Sequence, residues 1–254
     1  MMNIPAEVRF PLVPFSAIHI LFLAVLIPAA MAAAFVVSKK FGFSKKVLWI
    51  SAIIGMFCEM ERLIFFINET AGGYRLAPSH IPLNHCPFMV VLILYLALTE
   101  APQKHRKLLA FMYPMMVGGG FIGMLLPSAA VNYHGLAELA TYRYFFYHSM
   151  VIFTGLYLYL SKPFEYEMKD YGMGLFLCFC SLFIGVWVNG FFGWDEEVNY
   201  MFVVRPPLKG LPILNFRHGW PGYMLDMCGI GFVLISLCYI PVIARSIKRV
   251  FVKK

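Results

Sequence analysis

Residues 16–37 read SAIHILFLAVLIPAAMAAAFVV, and residues 38–46, SKKFGFSKK, follow them with four lysines. A helix rising 1.5 Å per residue needs about 20 apolar residues to cross a hydrocarbon core about 30 Å thick. This run supplies them, and the lysines behind it mark the cytoplasmic end of the crossing. It has no lysine cluster in front and no small-residue cleavage site behind, so it reads as a retained span rather than a signal peptide.

The pattern recurs along the chain. Further spans are expected at Val47–Ile67, Ile81–Thr99, Leu108–Leu126, Tyr144–Leu160, Tyr171–Phe192 and Gly222–Ala244. Lys39, Lys40, Lys45, Lys46, then Lys104, Arg106, Lys107, then Lys162, Lys169, and finally Arg245, Lys248, Arg249, Lys253 and Lys254 fall in alternate connections and the tail. Most of the 21 basic residues thus share one side, the cytoplasm by the positive-inside rule. The fold class expected is all-α: a polytopic transmembrane helical bundle of about seven spans, N-terminus out and C-terminus in, forming one integral membrane domain over 1–254.

Composition agrees. Hydrophobic residues make up 61% and charged residues 13%, against about 25% charged in soluble domains, and the mean hydropathy is +0.74. The net charge of +8 is topogenic by its placement and argues against a nucleic-acid partner. Of the six cysteines, Cys58, Cys178, Cys180, Cys228 and Cys238 lie in apolar runs and read as buried thiols. No internal repeat marks an inverted-repeat transporter.

The outer side receives the loops 68–80, 127–143 and 193–221, with His80, His134, His218, Asp195, Glu196 and Glu197. The last exceeds ordinary connection length, which favours a functional or lid-like role. Within the spans, ionisable residues are expensive and mark functional sites. Glu59, Glu61, Arg62, His148 and Asp226, with Asn189, fall at similar depth in the outer halves of their spans. Each has a plainer reading: Glu59 or Glu61 pairing with Arg62, Asp226 stabilised at a helix start, His148 as a hydrogen-bonded tie between helices.

The third run, IPLNHCPFMVVLILYLALT at 81–99, contains Pro87. Either a helix begins at Pro87 with Cys86 as its N-cap, leaving about 20 Å of helix and a non-helical descent from Ile81, or it begins near Pro82 and kinks. Both geometries recess Cys86. A thiol at a helix start is favoured as thiolate, and a nearby histidine takes its proton. His148 is the better base by depth, His85 the lesser because adjacent residues point apart, and Asn84 or a backbone amide is the candidate oxyanion donor. An inert packing cysteine is the alternative.

IPLNHC at 81–86, GGGFIGMLLP at 118–127, YFFYHS at 144–149 and NYMFVVRPPLKGLPILNFRHGWPGYM at 199–224 carry a further pattern. Through them the chain resembles the YwaF family of bacterial integral membrane proteins, whose eukaryotic relative is transmembrane protein 164. Pro82, Leu83 and Cys86 fit a PLHLC-like motif in which Asn84 stands at the histidine and His85 at the second leucine. The resemblance implies a lipid acyltransferase of the cell membrane with Cys86 as nucleophile, His148 as base, and Asn199, Tyr200 and Arg205 shaping an outer-face pocket. The implied partners are membrane phospholipids as acyl donor and acceptor, with no cofactor and no metal.

Two other classes stand beside it. A transporter or receptor-like binding protein would line a polar pocket with Glu59, Glu61, Arg62, His148 and Asp226, and would need an inward route through inner halves that read as uniformly apolar. A zinc hydrolase would use His80, His85, His134 or His148 with Asp226, but no two histidines have the i, i+4 spacing of ligands on one helical face.

Overall fold

The computed structural model describes residues 12–69, 81–128, 135–194, 198–208 and 210–252, with side chains except at 62–69 and 250–252. Every regular element among them is helical: α1 (Ala17–Phe41), α2 (Lys45–Glu69), α3 (His85–Leu98), α4 (Arg106–Leu125), α5 (Leu139–Leu160), α6 (Met168–Phe191) and α7 (Gly219–Val252), with 3-10 turns at Pro102–Lys104 and Tyr200–Phe202. Four are long and apolar enough to cross a membrane, α1, α4, α6 and α7, and α3 is a shorter apolar helix. The chain is therefore a multi-pass helical membrane protein. α2 and α5 have the length, but Glu59 and Glu61 in one, and the tyrosines, Arg143 and His148 in the other, dilute their apolar content.

Several helices extend beyond the hydropathy reading, whereas α3 is shorter, His85–Leu98 rather than Ile81–Thr99. α7 runs to Val252 rather than Ala244, and α5 starts at Leu139 rather than Tyr144. Hydropathy marks where lipid ends, whereas a helix continues through Lys, Arg and Tyr wherever its backbone bonds are satisfied. α7 is thus about 51 Å long at 1.5 Å per residue, well beyond the bilayer core.

α4 is the axis of the bundle: 56% of its apolar window is buried, against 11% for α1, 22% for α6 and 17% for α7. α5 packs on it, α1 lies on α5, α2 pairs with α3 against α5 and α4, and α6 pairs with α7 on its other side. Glycines permit the closeness. A β-carbon on Gly120 would sit 3.1 Å from the His148 carbonyl oxygen, and one on Gly155 would sit 3.0 Å from that of Tyr113, the backbone approach that small residues allow between membrane helices.

α4 also contains Pro114, which cannot donate to the Ala110 carbonyl one turn earlier. The Tyr239 hydroxyl donates to that carbonyl instead, at 2.9 Å. Tyr239 belongs to a cluster with Tyr113, Tyr159, Tyr166 and Tyr171. Tyr113 donates to the Cys238 carbonyl at 2.5 Å, and Tyr171 bonds Ser236 at 2.9 Å. The half of the bundle next to the α5–α6 connection is therefore filled by tyrosines, a correction to its reading as uniformly apolar. All six cysteines are free; Cys58, Cys86 and Cys178 are buried, while Cys180, Cys228 and Cys238 are only half-buried, against their reading as buried thiols.

Candidate functional site

α3 opens at Asn84, the N-cap, whose carbonyl accepts the first helical bond from the Phe88 N–H at 3.0 Å. Cys86 is therefore inside the first turn rather than at the cap, and Pro87 is the third helical residue. That position tolerates proline because its N–H would have had no helical partner. The helix neither begins at Pro87 nor kinks there, which corrects both geometries read from the sequence. Its 14 residues span about 21 Å, shorter than a bilayer core, residues 81–84 approach it without helix, and Cys86 is buried. The N–H groups of His85 and Cys86 have no hydrogen-bond partner among the described residues.

Both histidines face α4. His85, half-buried, places Nε2 2.9 Å from the Met115 carbonyl. A carbonyl only accepts, so Nε2 carries the hydrogen and Nδ1 of the neutral ring is bare. His148, buried, places Nδ1 2.8 Å from the Tyr144 carbonyl one turn earlier on α5, which leaves Nε2 bare. A β-carbon at Gly119 would lie 2.5 Å from Nε2 of His85, and one at Gly123 would lie 2.5 Å from Nε2 of His148. Gly119 and Gly123 are one helical turn apart, so the imidazoles occupy successive notches about 6 Å apart on one face of α4. They are within electrostatic reach of each other.

Tyr144 joins this pair to the thiol. Its ring centre is 4.2 Å from that of His148, its hydroxyl donates to the Gly123 carbonyl at 2.7 Å, and it lies within electrostatic reach of Cys86. Glu59, buried on α2, is also within reach of Cys86. Glu61 stands 4.0 Å from Arg143 of α5. The side chain of Arg62 lies outside the described residues.

The long connection after α6 closes over the start of α3. Met201 and Phe202 have φ of 56° and 57°, a left-handed conformation that costs non-glycine residues about 1–3 kcal/mol each and needs surrounding contacts to persist. The contacts are present. The Asn84 side-chain oxygen accepts from the Met201 N–H at 3.2 Å. Asn189, fully buried on α6, accepts from the Tyr200 N–H at 3.1 Å and donates to its carbonyl at 3.0 Å. Trp220 donates to the Val203 carbonyl at 2.9 Å, and Tyr223 to that of Phe202.

The residues expected to shape an outer pocket divide. Tyr200 is buried in this turn, and Asn199 spends its side chain on the loop, accepting from Val204 and Arg205 and donating to the Arg205 carbonyl. Arg205 itself is exposed. Asp226 is half-buried on α7, and no hydrogen bond or ion pair joins it to Cys86 or either histidine among the described residues. No group of three His, Cys, Asp or Glu is arranged to hold a metal among them; His80, His134, Asp195, Glu196 and Glu197 lie outside. Gly123, Tyr144 and Arg143 complete the site without having been singled out by sequence, and Gly119 had entered only as part of a glycine run. Their signals were available only in part: the glycine run and the i−4 offset of Tyr144 from His148.

The architecture is that of a multi-pass helical membrane protein with a recessed thiol and paired imidazoles under a clamped loop. The TMEM164 family model matches residues 14–239, and the chain belongs to that family. No curated protein and no solved structure matches it significantly.

Proposed function

We propose that the protein is a phospholipid acyltransferase of the bacterial cell membrane, spanning it seven times with the N-terminus outside, and that Cys86 carries the acyl chain as a thioester near the outer leaflet. The observation that carries this reading is the start of α3: a buried thiol, two N–H groups beside it with no partner among the described residues, and a bare imidazole nitrogen held in a notch of α4. In the first half-reaction the Cys86 proton passes to Nε2 of His148 while Sγ attacks the ester carbonyl of a donor lipid. The oxyanion is met by the N–H groups of His85 and Cys86. As the tetrahedral intermediate collapses, the C–O bond breaks and the leaving oxygen takes the proton from His148. In the second half-reaction an acceptor hydroxyl gives its proton to His148 and attacks the thioester, and the departing thiolate recovers that proton. The side-chain oxygen of Asn84 is already an acceptor, so only its amide nitrogen could assist.

The transporter reading requires a polar path through the inner half. Five tyrosines fill that region, three of them hydrogen-bonded at 2.5–2.9 Å to Cys238, Ala110 and Ser236, which favours the closed site over the conduit. The test uses purified protein and phospholipids with isotopically heavy acyl chains. Intact mass should show a hydroxylamine-labile acyl adduct that disappears in Cys86→Ala; lipid turnover undiminished in that variant would overturn the reading.

A further inference from the structure

Arg143 lies on α5 five residues before His148, which places it about 7.5 Å nearer the helix start. Its side chain is only 14% exposed, and it pairs with Glu61 on α2, Nη1 and Oε2 4.0 Å apart. That is the limit of an ion pair and too long for a hydrogen bond. A guanidinium has five N–H donors, and burying them unsatisfied is unfavourable. Glu61 is 40% exposed, so the pair is not enclosed on its side. The pair is loose where a structural ion pair would be closed.

The surroundings indicate what the guanidinium is for. Arg143 faces α2, His148 faces α4, and α3, with Cys86 at its start, packs against both α2 and α4. A molecule seated over Cys86 and reaching toward the start of α5 would have His148 on its α4 side and Arg143 on its α2 side. The offset is comparable with the span from an acyl ester to the phosphate on the same glycerol. We propose that Arg143 binds the headgroup phosphate of the phospholipid whose ester is presented to Cys86, through the planar bidentate geometry that suits guanidinium to phosphate. This inference rests on the acyl-transfer reading for its orientation, yet the site is defined by binding alone.

The experiment is native mass spectrometry of delipidated protein offered phosphatidylglycerol or diacylglycerol with identical chains. The wild type should retain phosphatidylglycerol, and Arg143→Gln should weaken it roughly tenfold or more, as loss of a charge-assisted contact would. Arg143→Lys should fall between them, while diacylglycerol binding, unchanged in both, reports an intact fold. Glu61→Gln should bind phosphatidylglycerol at least as well as wild type. Equal phosphatidylglycerol binding by Arg143→Gln, or an equal loss in Glu61→Gln, would overturn the proposal. So would soluble glycerol phosphate competing as effectively as the lipid. Phospholipid held through Arg143 without any adduct on Cys86 would refute the acyl-transfer reading while supporting the phosphate site.

Discussion

The imidazole of His148 occupies the space that a side chain on Gly123 would fill: a methyl there would lie 2.5 Å from Nε2. The ring is held from its other side by the Tyr144 carbonyl at 2.8 Å. The tautomer and position of the proposed base are thus set by two backbones, neither of which contributes a functional side chain.

Gly123→Ala should therefore abolish acyl-adduct formation to the extent that His148→Ala does, at a stability cost of about 1–3 kcal/mol from overpacking. Gly172→Ala is the matched control. A β-carbon there meets nothing within 4 Å, so it should leave adduct formation unchanged and raise the melting temperature slightly, because alanine in place of glycine inside a helix adds about 0.5–1 kcal/mol. Adduct formation by intact mass and thermal unfolding in detergent check both.

Replacing the two histidines singly should separate their roles. His148→Gln is expected to slow thioester formation by about 10²–10⁴, the usual contribution of a general base. His85→Gln should cost less, because that ring's hydrogen-bearing nitrogen is tied to Met115. Time-resolved adduct formation gives the ratio, and equal losses would exclude a single base.

The Asn84–Met201 bond should latch the connection between α6 and α7. Asn84→Ala removes the acceptor that holds a left-handed Met201, at a cost of about 1 kcal/mol for the lost hydrogen bond. Faster limited proteolysis within 198–208 is the expected signature. Asn189→Leu should have the larger effect, since it leaves the buried Tyr200 N–H unpaired.

Tyr239→Phe should orphan the Ala110 carbonyl that Pro114 cannot serve. The expected loss is about 1–3 kcal/mol, the penalty for an unsatisfied buried acceptor. Adduct formation on Cys86 should persist, because the tyrosine cluster is remote from the start of α3.

Acid should loosen the α5–α6 connection. Lys169, by a hydrogen bond and its charge, and then Arg106 hold the Glu167 carboxyl below its ordinary range. A depressed carboxylate contributes stability above its ordinary pKa, and that contribution is lost as pH falls through the lower folded value. Hydrogen exchange over 162–168 should therefore rise, after correction for intrinsic rates, only below the ordinary carboxylate range. Arg106→Ala should loosen the same connection at neutral pH. It leaves Asp170, whose side chain is 4% exposed and accepts from Arg106 at 2.7 Å and 2.8 Å, with the Glu167 N–H, at a cost of about 1–3 kcal/mol.

By itself the sequence determined that the chain is helical and membrane-embedded, because a bilayer leaves a backbone few other ways to satisfy its hydrogen bonds. It also pointed to a helix start close to Cys86, since Pro87 constrains where a helix can begin, and α3 does start there, at His85. The cap of α3 at Asn84, two residues before the thiol and three before the proline, is tied to the Met201 turn that Asn84 anchors, a contact made across 117 positions of chain. The partners of the histidines were likewise settled only in three dimensions. Gly119 and Gly123 carry no chemistry that a sequence reading could weigh, and they matter because α4 turns their bare faces toward rings from α3 and α5. Proximity between helices depends on packing, and packing here depends on what the glycines omit.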